Sequence, residues 1–150
     1  LVCAAQAAAL ALARPGIPYE AGHEAAVATL TEGLLSLGLL KGRLETAIER
    51  GDYKRFYRHK TGHWLGLDVH DVGEYRIDGE SRLLEPGMVF TIEPGLYVAP
   101  DDASVDAKWR GIGIRIEDDV LVTADGNRVL TAALERSADE VEDLMASAAA

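Results

Sequence analysis

The sequence predicts an α+β fold, with helices gathered in the first third, short strands and turns through the middle, and one more helix at the end. Three observations carry this expectation. Up to Gly51 the chain is rich in Ala and Leu, with apolar residues recurring at steps of three and four. From about residue 52 the pattern changes to two-residue alternation, punctuated by Pro, Gly, Asp and Asn. A length of 150 residues, 48% of them hydrophobic and 27% charged, is the balance of one ordered globular unit rather than a disordered chain.

Residues 1 to 14 have a strong helix composition, and Pro15-Gly16 stops the helix. Val27, Leu30, Leu34 and Leu37 then draw one apolar stripe on a second helix that Gly38 ends. Leu44, Ala47 and Ile48 form a shorter helical turn closed by Gly51. Met88 to Ile92 reads as a strand buried on both sides and ended by Pro94-Gly95, which sets Glu93 at the strand's end. In the run from Ile112 to Thr123, Ile112, Ile114 and Ile116 share one face, and Gly113, Arg115 and Glu117 the other. Asp125-Gly126-Asn127 before Val129-Leu130-Thr131 signals a hairpin turn. Ser137 with Glu140 is a capping box opening a last helix, whose apolar face is Val141, Leu144 and Met145; an alanine tail at 146–150 is expected to fray.

Composition excludes some functions. A net charge of -10, with 15 Lys and Arg scattered along the chain, provides no basic field for nucleic acid. The lone Cys3 lies in an apolar run and is expected to be a buried, inert thiol. The stretch Leu1 to Ala13 is too short to cross a bilayer and has no basic region before it, so no membrane partner and a cytoplasmic location are expected. The chain opens at Leu1 inside an apolar stretch, which reads as a cut end.

Three of the four histidines, His59, His63 and His70, fall within twelve residues. Downstream, Glu93 sits in an apolar strand run between Ile92 and Pro94, and Glu117 follows the run Gly111–Ile116, apolar but for Arg115. A carboxylate there is costly to desolvate unless it meets a cation or strong donors, so the pattern asks for a metal or an arginine. A helical zinc pair of His59 and His63 would need Glu directly after the first histidine, and Lys60 stands there. One imidazole with several carboxylates suits manganese or cobalt, and zinc remains open. His70 beside Asp71, and Arg115 beside Glu117, also have plain structural readings as local pairs. His23, Asp68, Asp118 and Asp119 are read as packed, structural or solvated groups.

The runs His59–Asp71, Glu85–Tyr97 and Trp109–Asp119, in this order and spacing, resemble those of aminopeptidase P, the Xaa-Pro aminopeptidases of the pita-bread metallopeptidases. The likeness extends over roughly the whole chain. It implies the C-terminal portion of a pita-bread catalytic domain, with a curved, mainly antiparallel sheet carrying His63, Glu93, Arg115 and Glu117 on one face. It implies that His63, Glu93 and Glu117 bind metal, Glu117 bridging two divalent ions, with Mn²⁺ expected and Co²⁺ or Zn²⁺ as alternatives. It further implies that Glu93 relays a proton, that His59 and His70 contact substrate and stabilise its carbonyl oxygen, and that Tyr97 and Arg115 order the surroundings. The implied substrate is a peptide with proline at its second position, and the intact protein is implied to be a homo-oligomer. The resemblance further implies two aspartate ligands and a histidine upstream of the early helices. The first aspartate here is Asp52 and the only histidine before His59 is His23, so residues 1–150 are expected to be a partial catalytic domain. Prolidase shares this fold and ligand set, and a non-catalytic peptide-binding module of the same fold is the alternative from another class.

Overall fold

The computed structural model describes residues 1–148 and is α+β. Helix α1 (Val2–Leu10) packs on α2 (Tyr19–Ser36), and α3 (Leu44–Arg50) follows. The first helix is a turn shorter than its composition predicts, because residues 11–12 leave the helix as a turn ahead of Pro15 and Gly16. Ala5 and Ala26 are fully buried where these helices meet, together with Val27 and Leu30. Small side chains allow that close approach. Leu34 completes the predicted stripe, but Leu37 caps α2 and is exposed. Gly51 ends α3 in the left-handed region, at φ 69°. Cys3 faces solvent on α1, contrary to the buried thiol expected.

Strands begin later than residue 52. A 3-10 turn at Asp52–Arg55 leads into irregular chain, and the first ladder is the small hairpin of β1 (Arg76–Ile77) and β2 (Glu80–Ser81). β3 (Val89–Ile92) pairs antiparallel with β6 (Asp118–Val122), which pairs with β7 (Asn127–Val129) through the predicted turn. β4 (Gly95–Tyr97) pairs antiparallel with β5 (Gly113–Arg115). On the free side of β3, residues 61–65 run beside it, with Thr91 N–H donating to His63 O at 2.9 Å and Leu65 N–H to Val89 O at 3.1 Å. Gly62 is required there: a Cβ would lie 1.8 Å from Thr91 O. All the ladders are antiparallel, but the expected single sheet is split into separately bonded pieces.

One face of this sheet carries the main core. Trp64, Phe90, Ile92, Val120 and Val122 are buried against Ala9 and Ala13. The apolar matter therefore lies between sheet and helices, and the opposite face is left for polar side chains. Helix α4 (Ala138–Ala148) starts with the predicted capping box, in which Glu140 N–H donates to Ser137 Oγ at 3.2 Å and Ser137 N–H to Glu140 Oε2 at 3.0 Å. Its apolar face is not buried: Met145 is 68% exposed and Leu144 53%. The alanine tail is helical through Ala148, and the rest of it lies outside the described residues. No helix among the described residues is long and apolar enough to cross a membrane.

Asp118, 1% exposed, ties the two ends of the chain to the sheet. It accepts from Gln6 Nε2 at 2.9 Å, Thr131 Oγ1 at 2.6 Å and Arg136 Nη1 at 2.5 Å. Removing the carboxylate leaves three buried or half-buried donors unsatisfied. We expect Asp118→Ala to lower unfolding free energy by about 3 kcal/mol. Urea titration would show this as a lower midpoint at unchanged slope, and a shift below about 1 kcal/mol would mean the donors find water instead.

Candidate metal centre

The polar face is organised by one register. Ile92 lies opposite Asp118, and Gly95 lies opposite Arg115. Carried through the gap between these two ladders, the same register sets Glu93 opposite Glu117 and Pro94 opposite Ile116, and Ile116 N–H reaches Pro94 O at 3.4 Å. Glu93 and Glu117 are thus cross-strand neighbours with side chains on the same face, where Cβ atoms lie about 5 Å apart. Two carboxylates so placed repel. The third strand-like segment adds His63 to the row, and the ligand atoms of His63, Glu93 and Glu117 all lie within 4.8 Å of one another.

Proton placement shows what this row can hold. His63 Nδ1 lies 3.0 Å from Trp64 O, a carbonyl that can only accept, so Nδ1 carries the proton. In the neutral ring Nε2 then presents a lone pair to Glu93 Oε1, 3.3 Å away. Lone pairs that face each other favour a positive charge between them, a proton or a metal ion. Glu93 is 8% exposed; its Oε1 accepts from Thr91 Oγ1 at 3.1 Å, and its Oε2 is 3.3 Å from Arg115 Nη1. Glu117 stands at the edge of the row, and its pKa is raised by burial first and by the charge of Glu93 second. One imidazole and two carboxylates meeting at a point fit a divalent ion, and the carbonyl bond at Nδ1 is the kind of outer contact that orients a ligating histidine.

A second chain of protons borders the row. His59 Nδ1 is 2.8 Å from Lys60 O and must donate to it, so His59 Nε2 accepts from Tyr97 Oη at 3.0 Å. Tyr97 Oη in turn accepts from Arg115 Nε at 2.7 Å. Gly95 makes room for this, since a Cβ there would lie 2.5 Å from Tyr97 Oη. Arg115 therefore pairs with Glu93 and Tyr97, and among the described residues it makes no ion pair with Glu117. The plain strand-pair reading of Arg115 and Glu117 fails because the strand breaks at residues 116–117. His70 is exposed, with its ring centroid 4.4 Å from that of His63. Asp71 Oδ1 takes the N–H of Val72, and among the described residues no hydrogen bond or ion pair joins His70 to Asp71. Asp68 and Asp119 lie outside the row.

Sequence reasoning missed three contributors. Thr91 bridges the row, receiving His63 N–H at 3.1 Å while donating to Glu93. A polar residue two positions before Glu93 on the same strand face was the available signal. Thr61 and Tyr57 were also missed: Thr61 O accepts from Glu93 N–H at 2.6 Å, and Thr61 Oγ1 lies 2.6 Å from Tyr57 Oη and 2.7 Å from His23 Nδ1. His23 is a packed histidine whose pKa is lowered to about 4, by burial first and by the Lys60 charge next.

Comparison with known proteins gives a consistent result. The description of metallopeptidase family M24 matches residues 1–124. The chain is 51% identical over 144 residues to Xaa-Pro aminopeptidase 1 of Streptomyces coelicolor, covering 95% of this chain and 29% of that protein. It superposes on Pseudomonas aeruginosa aminopeptidase PepP with a TM-score of 0.96 and 54% identity, over 98% of this chain and 33% of that one. The Zn-substituted aminopeptidase P of Escherichia coli in complex with product gives a TM-score of 0.92 and 48% identity, again over 98% and 33%. The chain spans about a third of the length of the relatives it matches.

Two outcomes follow from this geometry. Glu117→Ala should abolish divalent-ion uptake in calorimetric titration, whereas His70→Ala should leave it near the unsubstituted value; loss of the ion in His70→Ala would make His70 a ligand. His23 concerns stability. It is neutral when folded and protonates near pH 6.5 when unfolded, so its contribution is full above about pH 6.5 and is lost as pH falls toward about 4. Screening of the partly exposed ring reduces the effect to on the order of 1–2 kcal/mol. Thermal unfolding across this pH range should show a shallower acid decline in His23→Asn, which has no imidazole to titrate.

Proposed function

The chain belongs to metallopeptidase family M24, and we propose that it is the C-terminal part of an Xaa-Pro aminopeptidase catalytic domain, removing the first residue of peptides with proline in second position. The observation that supports this most is the row of His63, Glu93 and Glu117, closed on three adjacent strand segments with lone pairs facing one another. The names of the relatives, Xaa-Pro aminopeptidase and aminopeptidase P, point to the same substrate class.

His63, Glu93 and Glu117 would hold the metal, with Mn²⁺ expected and Co²⁺ or Zn²⁺ as alternatives. When bound, a pair of such ions supplies Lewis acidity that lowers the pKa of a shared water and polarises the scissile carbonyl. The protein's own groups do the rest. The Glu93 carboxylate would take a proton and pass it toward the leaving nitrogen, while Arg115 balances charge at Oε2. His70, exposed beside His63, would donate to the carbonyl oxygen as charge develops there. His59 is held by Lys60 O on one nitrogen and Tyr97 on the other, which would steady its ring for contact with substrate. Arg115 orients Tyr97 and thereby His59. The working protein is proposed as a homo-oligomer in the cytoplasm.

Ligand counting sets the test. Three donors suffice for one ion, and a second would rest on Glu117 alone. The 150-residue chain is expected to bind one Mn²⁺ or fewer and to leave Xaa-Pro peptides uncut; two tight ions per chain would sink this account. In a longer protein that includes the upstream segments, His70→Ala should lower kcat by about 10² to 10⁴ at normal metal content. That protein should cleave Xaa-Pro-Yaa tripeptides, whereas cleavage confined to Xaa-Pro dipeptides would transfer the assignment to prolidase.

A further inference from the structure

We infer that His23 is a positioning residue of the metal centre, acting as a neutral hydrogen-bond acceptor that fixes Thr61 beneath the loop carrying His59 and His63. The inference rests on the functional reading only in treating that row as a metal site. Its argument is the direction of three hydrogen bonds.

Tyr57 is 1% exposed, and the only partner of its hydroxyl among the described residues is Thr61 Oγ1, at 2.6 Å. A buried phenol gains most by donating its proton, so Tyr57 donates to Thr61. Thr61 has a single hydroxyl proton, and its other side-chain neighbour is His23 Nδ1 at 2.7 Å. Thr61 therefore donates to His23, and His23 must be the tautomer with its proton on Nε2. Placing a proton on Nδ1 leaves one hydroxyl proton of the pair, that of Thr61 or that of Tyr57, without a side-chain acceptor among the described residues. The lowered pKa of His23 agrees with a ring that stays neutral. Facing it are Lys60, Glu20, His59 and Lys54, and Glu20 is itself engaged by Lys60 at 3.1 Å and by Arg76.

What Thr61 holds explains the role. Its carbonyl accepts the N–H of Glu93 at 2.6 Å, and it lies midway between His59 and His63. The ring of Tyr57 meets that of His59 edge-on, with centroids 5.0 Å apart. His23, from α2 behind the sheet, thus links the helical layer to three residues of the polar face through one hydroxyl. A shift of Thr61 would move the Glu93 backbone and both histidines together.

Nitrogen-15 spectra of the unsubstituted 150-residue chain should show His23 protonated on Nε2 and bare on Nδ1. Hydrogen exchange at the Glu93 amide should speed about tenfold in His23→Leu, with Phe90 and Val120 unchanged, and stay near normal in His23→Asn, whose amide oxygen can accept where Nδ1 did. Mn²⁺ affinity should fall about tenfold in His23→Leu and recover in His23→Asn. A proton on Nδ1, or a His23→Leu chain with normal Glu93 exchange, or equal damage from Asn and Leu, would overturn the inference. If His23→Leu does not fold, the tautomer of the unsubstituted chain decides. If the unsubstituted chain takes up too little Mn²⁺ to titrate, the tautomer and exchange measurements judge this inference by themselves, and the functional reading is judged separately on the longer protein.

Discussion

Two carboxylates placed opposite each other on one rung of an antiparallel ladder are the constraint to which the rest of this structure answers. Glu93 and Glu117 would repel if left alone, and the ladder visibly gives way around them, ending as β3–β6 on one side and resuming as β4–β5 on the other. Arg115 offsets part of the charge on Glu93, and Thr91 satisfies one more lone pair. In its neutral form, with the Nδ1 proton donated to Trp64 O, the ring of His63 adds one more acceptor at Nε2. Such a row is stable as a cation-binding device and wasteful as anything else.

The surrounding polar groups are arranged so that each has only one workable proton assignment. Backbone carbonyls of Lys60 and Trp64 fix the tautomers of His59 and His63. Arg115 can only donate to Tyr97, and with the Nδ1 proton of His59 donated to Lys60 O the neutral ring accepts the Tyr97 proton at Nε2. The result is a closed circuit from Glu93 through Arg115, Tyr97 and His59 to the loop at Thr61 and back to the Glu93 amide. Side chains ordered in this way lose little further entropy when a substrate arrives, which is the physical basis of preorganised catalysis.

The fold serves this face by putting its apolar matter elsewhere. Alternation along β3 sends Phe90 and Ile92 to the helices and Thr91 and Glu93 to the site, and the same alternation in 61–65 separates Trp64 from His63. Gly62 lets the histidine segment lie against β3, and Gly95 gives Tyr97 its space. Other apolar surface remains uncovered, on α4 and at Leu67 and Val72 in the loop that carries His70.

The sequence by itself determined what is local or chemical. Helix composition, the Gly51 stop, the 125–127 turn and the Ser137–Glu140 box depend on neighbouring residues and are readable in one dimension. Residue chemistry likewise marked His63, Glu93 and Glu117, since carboxylates in apolar runs and clustered histidines stand out without coordinates. Tertiary structure decided how these elements meet. That Glu93 faces Glu117 depends on a register spanning a break, and that Arg115 turns to Glu93 depends on the same break. Whether Met145 and Cys3 are buried depends on what packs over them. His23 and Asp118 looked unremarkable in the chain because their partners, Thr61 at 2.7 Å and Gln6 at 2.9 Å, are distant in sequence, and a hydrogen bond is specified by position in space rather than by spacing along the chain.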